Sequence, residues 1–387
     1  MKRIYLDYAS LTPMDRRVLR EYKKYSKAKY ANPSSWYKEG VLAKNALVEA
    51  RKTIANFISS HPDEVVFTSG GTEANNMGIL GTVEALHSTG VDYKDMHIVK
   101  SAIEHSSVNE CFAELAKRGV KVDDVYVSNQ GTVDLDDIQR KIKTNTILVS
   151  IMMVNNETGV IQPIREIAKV IRKTRQSNLV GNIYPIFHTD AGQAMYLDIN
   201  VEKLGVDLLT LDSGKMYGPR GMGALYVRRN TPIKPIIFGG GQEGGMRSGT
   251  ENIGGINAFA KAIELIGNNK NKERARVNDI KKYFIEGLRH ICHEVVVNGG
   301  DAEASPHIVN VSIPGIDNEF FVLQLDTRGI ACSTRSSCLH DSDESFVLKA
   351  MNANSKTSVR FSFGRNTSLR DIKKTLKIIE SLLSKNK

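Results

Sequence analysis

Lys215 stands in the run Leu208-Leu-Thr-Leu-Asp-Ser-Gly-Lys-Met-Tyr-Gly-Pro219, directly after a β-rich apolar stretch and before a Gly/Pro turn. A lysine held at a strand end can lose its proton through burial and nearby charge, and only the neutral amine attacks an aldehyde to form a Schiff base. On its own such a residue is more often a solvated surface group. Two further segments change that weighting. Thr68-Ser-Gly-Gly-Thr-Glu-Ala-Asn-Asn76 lies where a strand pattern ends and a helical one begins, so its backbone N–H groups and the helix dipole make an anion site suited to a phosphate. Its alternative reading is a glycine turn with an N-cap. Tyr184-Pro-Ile-Phe-His-Thr-Asp-Ala-Gly-Gln193 puts Asp190 just past an apolar strand, at the carboxyl edge where α/β sheets bind ligands. Read alone, Asp190 is as readily a helix N-cap.

Taken together, an amine, a phosphate site and a carboxylate able to keep a ring nitrogen protonated meet the demands of pyridoxal phosphate chemistry, in which the protonated ring accepts electrons. The elements that would position them follow from periodicity. Short β-branched runs at 64–68, 97–100, 122–127, 146–154, 184–188, 207–211 and 223–227 alternate with helical patterns at 73–87, 106–118, 135–143 and 164–174. That alternation predicts an α/β fold with a mostly parallel sheet. A glycine-rich segment, 239–245, closes the region, and a helical stretch over 253–290 leads to a second α/β unit with strands near 295–298, 307–313 and 358–362. We therefore expect a large cofactor-binding domain over 15–255 and a small domain formed by 1–14 and 256–387. The segment 172–182 reads as a solvated connection.

Composition narrows the function classes. With 387 residues, 41% hydrophobic and 25% charged, the chain resembles a globular enzyme long enough for two cores. Its apolar runs are far shorter than a membrane span and its first residues lack a signal peptide's apolar stretch, which points to the cytoplasm. Four cysteines (Cys111, Cys292, Cys332, Cys338) make neither a disulfide framework nor a zinc-site spacing, and leave a reactive thiol open. The net charge of +10 fits solvated helix faces. No RNA-binding motif supports direct contact with nucleic acid, although a basic surface would attract an acidic protein.

Nine motifs follow in order along nearly the full length: Tyr5-Leu-Asp-Tyr-Ala9, Asn32-Pro-Ser-Ser35, the 67–76 segment, Glu104-His105, Val154-Asn-Asn-Glu-Thr-Gly159, His188-Thr-Asp-Ala-Gly-Gln193, Lys215-Met-Tyr-Gly-Pro219, Gly245-Met-Arg-Ser-Gly-Thr250 and Arg360-Phe-Ser-Phe-Gly-Arg365. With them the whole chain resembles the cysteine desulfurases, pyridoxal phosphate enzymes of the class V aminotransferase group with fold type I. The resemblance implies a seven-stranded sheet in the large domain and a homodimer acting on L-cysteine. It further implies that Lys215 carries the cofactor, that His105 stacks on its ring and moves protons, and that Asp190 faces the ring nitrogen and Gln193 the phenolic oxygen. Gly71 and Thr72 would surround the phosphate, joined by Thr250 of the partner subunit. Asn156 would lie near ring and substrate, Asn32 near the substrate, and Arg360 would clamp its carboxylate, a role matched by a bidentate guanidinium. Without the resemblance Arg360 reads as a surface ion pair.

In the family a small-residue run ends in the nucleophile, which assigns that part to Cys338, followed by a mobile loop over 339–345; Cys332 reads as a buried small residue. The product would be L-alanine with a Cys338 persulfide, its sulfur passed to an iron–sulfur scaffold or a tRNA-thiolation protein. A selenocysteine lyase or small-molecule aminotransferase of the same fold is the nearest alternative, and a non-catalytic scaffold subunit the more distant one. Three segments depart from the family pattern. Asp212-Ser-Gly-Lys215 replaces Ser-x-His-Lys, which puts Asp212 at the serine position, Gly214 at the histidine, and leaves Ser213 to reach the phosphate from one place out of register. Tyr37 stands where a histidine is common, and Arg335 interrupts the small-residue run.

Overall fold

The computed structural model describes residues 3–334 and 344–384. After a two-residue strand β1 (Ile4–Tyr5), seven strands build the central sheet: β2 (Val65–Thr68), β3 (His97–Ser101), β4 (Lys121–Val125), β5 (Thr146–Ser150), β6 (Ile186–Asp190), β7 (Leu208–Asp212) and β8 (Gly223–Val227). Their spatial order is β2-β8-β7-β6-β5-β3-β4, and β8 alone runs against the rest. The alternation of short apolar runs thus gives the mostly parallel sheet it predicts.

Side chains sort across the sheet with the strand period of two. Ile98, Leu148, Ile186, Leu208 and Leu225 face one side, against Met77, Ile79 and Val83 of the Gly71–His87 helix and Phe112 of Ser106–Lys117. Val99, Val149, Phe187, Leu209 and Tyr226 face the other, against Leu47 and Ile54 of Lys38–Ile58 and Ile167 and Ile171 of Ile164–Thr174. Strands covered on both faces must be apolar throughout, which is why these runs read as nearly continuous hydrophobic segments. The Lys38–Ile58 helix was not among the expected elements, although its buried Ala43, Leu47, Ala50, Ile54 and Ile58 recur at helical spacing.

A second sheet follows, with β9 (Val296–Val297), β10 (Ile308–Ser312) and β12 (Ser358–Ser362) paired antiparallel in the order β12-β10-β9. β1 pairs in parallel with β11 (Ile330–Ala331), and Asp7 bridges to Ser362. The helical stretch expected over 253–290 is two helices, Ile253–Gly267 and Lys270–Ile291, separated at Asn268-Asn269, two poor helix formers next to Gly267. The segment 172–182 is more than a solvated connection. Arg175 donates to the Pro185 carbonyl and pairs with the buried Asp207, and Asn178 Nδ2 donates to the Thr146 carbonyl at 2.7 Å. Among the described residues no helix is long and apolar enough to cross a membrane.

Gly223 opens β8 where the chain passes Gly70, just before the Gly71–His87 helix. A Cβ at Gly223 would lie 2.6 Å from the Gly70 carbonyl carbon and 2.8 Å from the Leu211 oxygen. Both neighbours are backbone and cannot turn aside. Gly223→Ala should therefore lower stability by about 1–3 kcal/mol, the usual cost of overpacking; a urea midpoint unchanged from the native protein would show that β8 and the Gly70 turn are not in this contact.

Candidate active site

Parallel strands end on one edge, so the segments leaving β2, β3, β5, β6 and β7 converge. They surround a cleft of about 210 Å³ lined by Gly71 and Thr72 after β2, His105 after β3, Met152 and Asn156 after β5, Asp190 and Gln193 at and after β6, Asp212 and Lys215 at and after β7, and by Ser10 and Arg360 from outside the central sheet. The structure thus gathers eight of the expected site residues: Gly71, Thr72, His105, Asn156, Asp190, Gln193, Lys215 and Arg360.

Gly71 begins a helix whose Gly70 N-cap has no side chain to bond the first-turn N–H groups, the arrangement that favours an anion. Lys215 is half-buried and its Nζ donates to the Ser10 carbonyl. Asp190 is fixed at both oxygens: Oδ1 accepts from Gly192 N–H and Oδ2 from Asn75 Nδ2, each at 2.8 Å. Asn75 spends its second Nδ2 proton on Ser107 Oγ at 2.9 Å, so that hydroxyl donates onward to His105 Nδ1, also at 2.9 Å. Ser107 N–H points at the same nitrogen. With Nδ1 accepting, the neutral imidazole carries its proton on Nε2. A continuous chain Asp190–Asn75–Ser107–His105 therefore fixes the orientation of two groups on different strands. Asn75 and Ser107 were missed by the sequence reading; the signal was there, since Asn75 lies one turn beyond Thr72 on the same helix face.

Gln193 donates from Nε2 to the Ala9 carbonyl at 2.8 Å, and its Oε1 lies 3.2 Å from His307 Nε2. His307 is fully buried and its pKa is pushed down to about 3, by burial first and then by Lys281 and Arg360. It is neutral, and with Ser305 Oγ at 2.6 Å from Nδ1 it can donate from Nε2 to the glutamine oxygen. That bond turns the amide so that its remaining N–H is available elsewhere. Arg360 is not a surface residue: it is 1% exposed, donates from Nη2 to Asp7 Oδ1 and Ser10 Oγ at 2.8 Å and from Nη1 to the Asn156 carbonyl at 2.9 Å. Its Nε has no partner among the described residues.

Three expected site residues lie outside the cleft lining. Asn32 and Thr250 are exposed, and Asn32 Oδ1 accepts from Ser34 N–H at 2.9 Å. Ser213 is fully buried and its Oγ points under the next turn, where a Cβ on Gly218 would lie 2.1 Å away. One place out of register reverses the side chain, so Ser213 does not make up for the missing histidine. Asp212 lines the cleft instead. Its Oδ1 accepts from Gly214 N–H at 2.7 Å, the Gly71 N–H bonds to the same carboxylate, and a Cβ on Gly71 would lie 3.3 Å from Oδ2. Burial raises its pKa above the ordinary carboxylate range; Lys215 and the two N–H groups oppose this, and Asp190 adds to it.

Of the cysteines, Cys332 is half-buried against the core, and burial followed by the Asp7 carboxylate drives its thiol far above the usual range. Such a thiol is a poor nucleophile. Cys338, with Arg335 and the loop after it up to Asp343, lies outside the described residues.

The donor set fits pyridoxal phosphate at Lys215, Asp190, Gln193, His105 and the Gly71 helix terminus, with Asp212 as the one group of the wrong sign. Comparison with known proteins agrees. The family model described as aminotransferase class-V matches residues 4–375. "Cysteine desulfurase IscS" of Dictyoglomus turgidum is 40% identical, over 100% of this chain and 96% of its own length. Among solved structures, a NifS-like protein superposes with a TM-score of 0.89 at 30% identity, covering 99% of both chains. A second, described as SspA in complex with cysteine, gives 0.80 at 31% identity, over 93% of this chain and 99% of its own. With the cleft, the sheet order and the full-length similarity all in agreement, the chain belongs to the cysteine desulfurases, a branch of the pyridoxal phosphate-dependent class-V aminotransferase family.

Proposed function

We propose that this protein moves sulfur from L-cysteine to its own Cys338, leaving L-alanine, and passes the resulting persulfide sulfur to an acceptor protein. The observation that carries the reading is the convergence of Lys215, Asp190, His105, Gln193, the Gly71 terminus and Arg360 on one cleft. Bound there, pyridoxal phosphate would supply the electron sink that lets bonds near the substrate's α-carbon break.

The chain's own residues do the rest. Lys215 would hold the cofactor. Asp190, its two oxygens already fixed by Gly192 and Asn75, would favour a protonated ring because a carboxylate favours the positive partner. Gln193, oriented by His307, would offer it a spare N–H. His105 would face ring and substrate with its Nε2–H. Arg360, buried and pre-aimed by Asp7 and Asn156, receives the substrate carboxylate. We assign these roles to the 15–255 domain, completed by the domain of 1–14 and 256–387, with β1–β11 pairing and the Asp7–Ser362 bridge tying the termini together. Exposed Thr250 would reach the partner's phosphate in a homodimer, and the acceptor would be an iron–sulfur scaffold or a tRNA-thiolation protein met in the cytoplasm.

Borohydride treatment of the cofactor-loaded protein should fix the cofactor on Lys215, found by peptide mapping; label on another lysine would overturn the assignment. Cys338→Ser should bind cofactor, respond spectrally to L-cysteine and form no persulfide, while Cys332→Ser keeps most of its sulfide release. Equal loss in both variants would contradict the choice of nucleophile. Sedimentation at assay concentration should give a dimer, and a fully active monomer would remove the part given to Thr250.

A further inference from the structure

The residue that the assigned chemistry does not use is Asp212, and it stands where a phosphate is expected. Its carboxylate takes the Gly71 N–H at the head of the Gly71–His87 helix and the Gly214 N–H at 2.7 Å. These are the donors of an anion cradle, and here the chain supplies an anion of its own. Neighbouring elements set the local charge. Lys215 follows on the same turn, Asp190 faces it from β6, Gly192 packs beside it, and His105 and Arg360 line the same cleft. With two carboxylates and one ammonium nearest, a phosphate dianion entering next to Asp212 meets a like charge.

We propose that Asp212 is a specificity-determining residue for the cofactor's phosphate: the Gly71 cradle accepts that group only together with one proton, which Asp212 takes up from solvent. This rests on the reading above that the phosphate binds at the Gly71 terminus. The sign follows directly. A carboxyl that is ionised in the free protein and protonated in the complex makes binding weaken as pH rises, by up to about tenfold per pH unit while the free protein is ionised and the complex is not. The buried setting already raises the Asp212 pKa above the ordinary carboxylate value in the free protein, mainly through desolvation.

The test uses pyridoxine 5′-phosphate and pyridoxine, which carry an alcohol in place of the aldehyde and cannot join to Lys215. Calorimetric titration at pH 7.5 and 8.5, in two buffers of different ionisation heat, reads both affinity and proton uptake. In that range the free phosphate is already mostly dianionic. The native protein should take up close to one proton with the phosphorylated ligand and none with pyridoxine. Asp212→Asn, whose Oδ1 can still accept from Gly214 N–H and so keeps the turn, should bind pyridoxine 5′-phosphate about tenfold more tightly at pH 8.5 with no proton uptake; Asp212→Ser should do the same. Equal proton uptake and affinity in all three proteins would overturn the proposal, because Asp212 would then be a permanent ion pair with Lys215 that the phosphate does not feel. Failure of every protein to bind either ligand would overturn the cofactor reading beneath it.

Discussion

The direction of the strands in the central sheet is the constraint from which the rest follows. In a parallel sheet every crossover returns the chain to the same starting edge, so all carboxyl ends leave the other edge together. Here β2, β3, β5, β6 and β7 deliver the Gly71 helix terminus, His105, Asn156, Asp190 and Lys215 to one place from positions up to 144 residues apart in sequence, from Gly71 to Lys215. The cores on both faces keep that edge rigid. Antiparallel β8 serves the same end differently, by wedging a residue without a side chain, Gly223, against the Gly70 turn.

Hydrogen bonds as well as packing fix the polar groups at the edge, although Asn75 Oδ1, Glu104 Oε2 and Arg360 Nε have no partner among the described residues. Asp190 has both oxygens bonded, His105 has its tautomer set by Ser107, and Gln193 is clasped between Ala9 and His307. A buried polar network with its members paired holds one geometry, whereas an unpaired member would cost the free energy of a lost hydrogen bond. Arg360 shows the stakes most clearly. Fully buried, it joins β12 to the N-terminal segment through Asp7 and Ser10 and to the β5 exit through Asn156. Removing one member of such a pair strands a charge, at a cost of about 3–5 kcal/mol. The binding group for a carboxylate is thus also a structural joint.

Glu104 illustrates how the site borrows charge neutrality from its surroundings. It is wholly buried beside His105, accepts from Met152 N–H at 2.7 Å and from Ser101 Oγ, and its pKa is raised to about 8, chiefly by burial. It clamps the exits of β3 and β5 through its hydrogen bonds to Ser101 and Met152. Asp212 differs, because it faces a cleft that a ligand must enter.

The sequence alone determined what depends on local periodicity and on residue type at a motif. The strand and helix alternation, the mostly parallel sheet, the lysine after β7, the glycine turn at a helix head and the carboxylate after β6 are all legible there, because period two, period 3.6 and strand-end position are properties of short segments. Strand edges moved by one or two residues, as at β6 and β7, and a helix over 253–290 divided at two asparagines, since boundaries depend on capping and packing. What only the tertiary structure decided is direction. It turned Ser213 under Gly218 and Asp212 into the cleft, buried Arg360 instead of leaving it in a surface pair, tied Arg175 and Asn178 into the fold, and recruited Asn75, Ser107 and His307 as partners. No motif encodes these, because each depends on which atoms from distant parts of the chain come within hydrogen-bond reach once the sheet has closed.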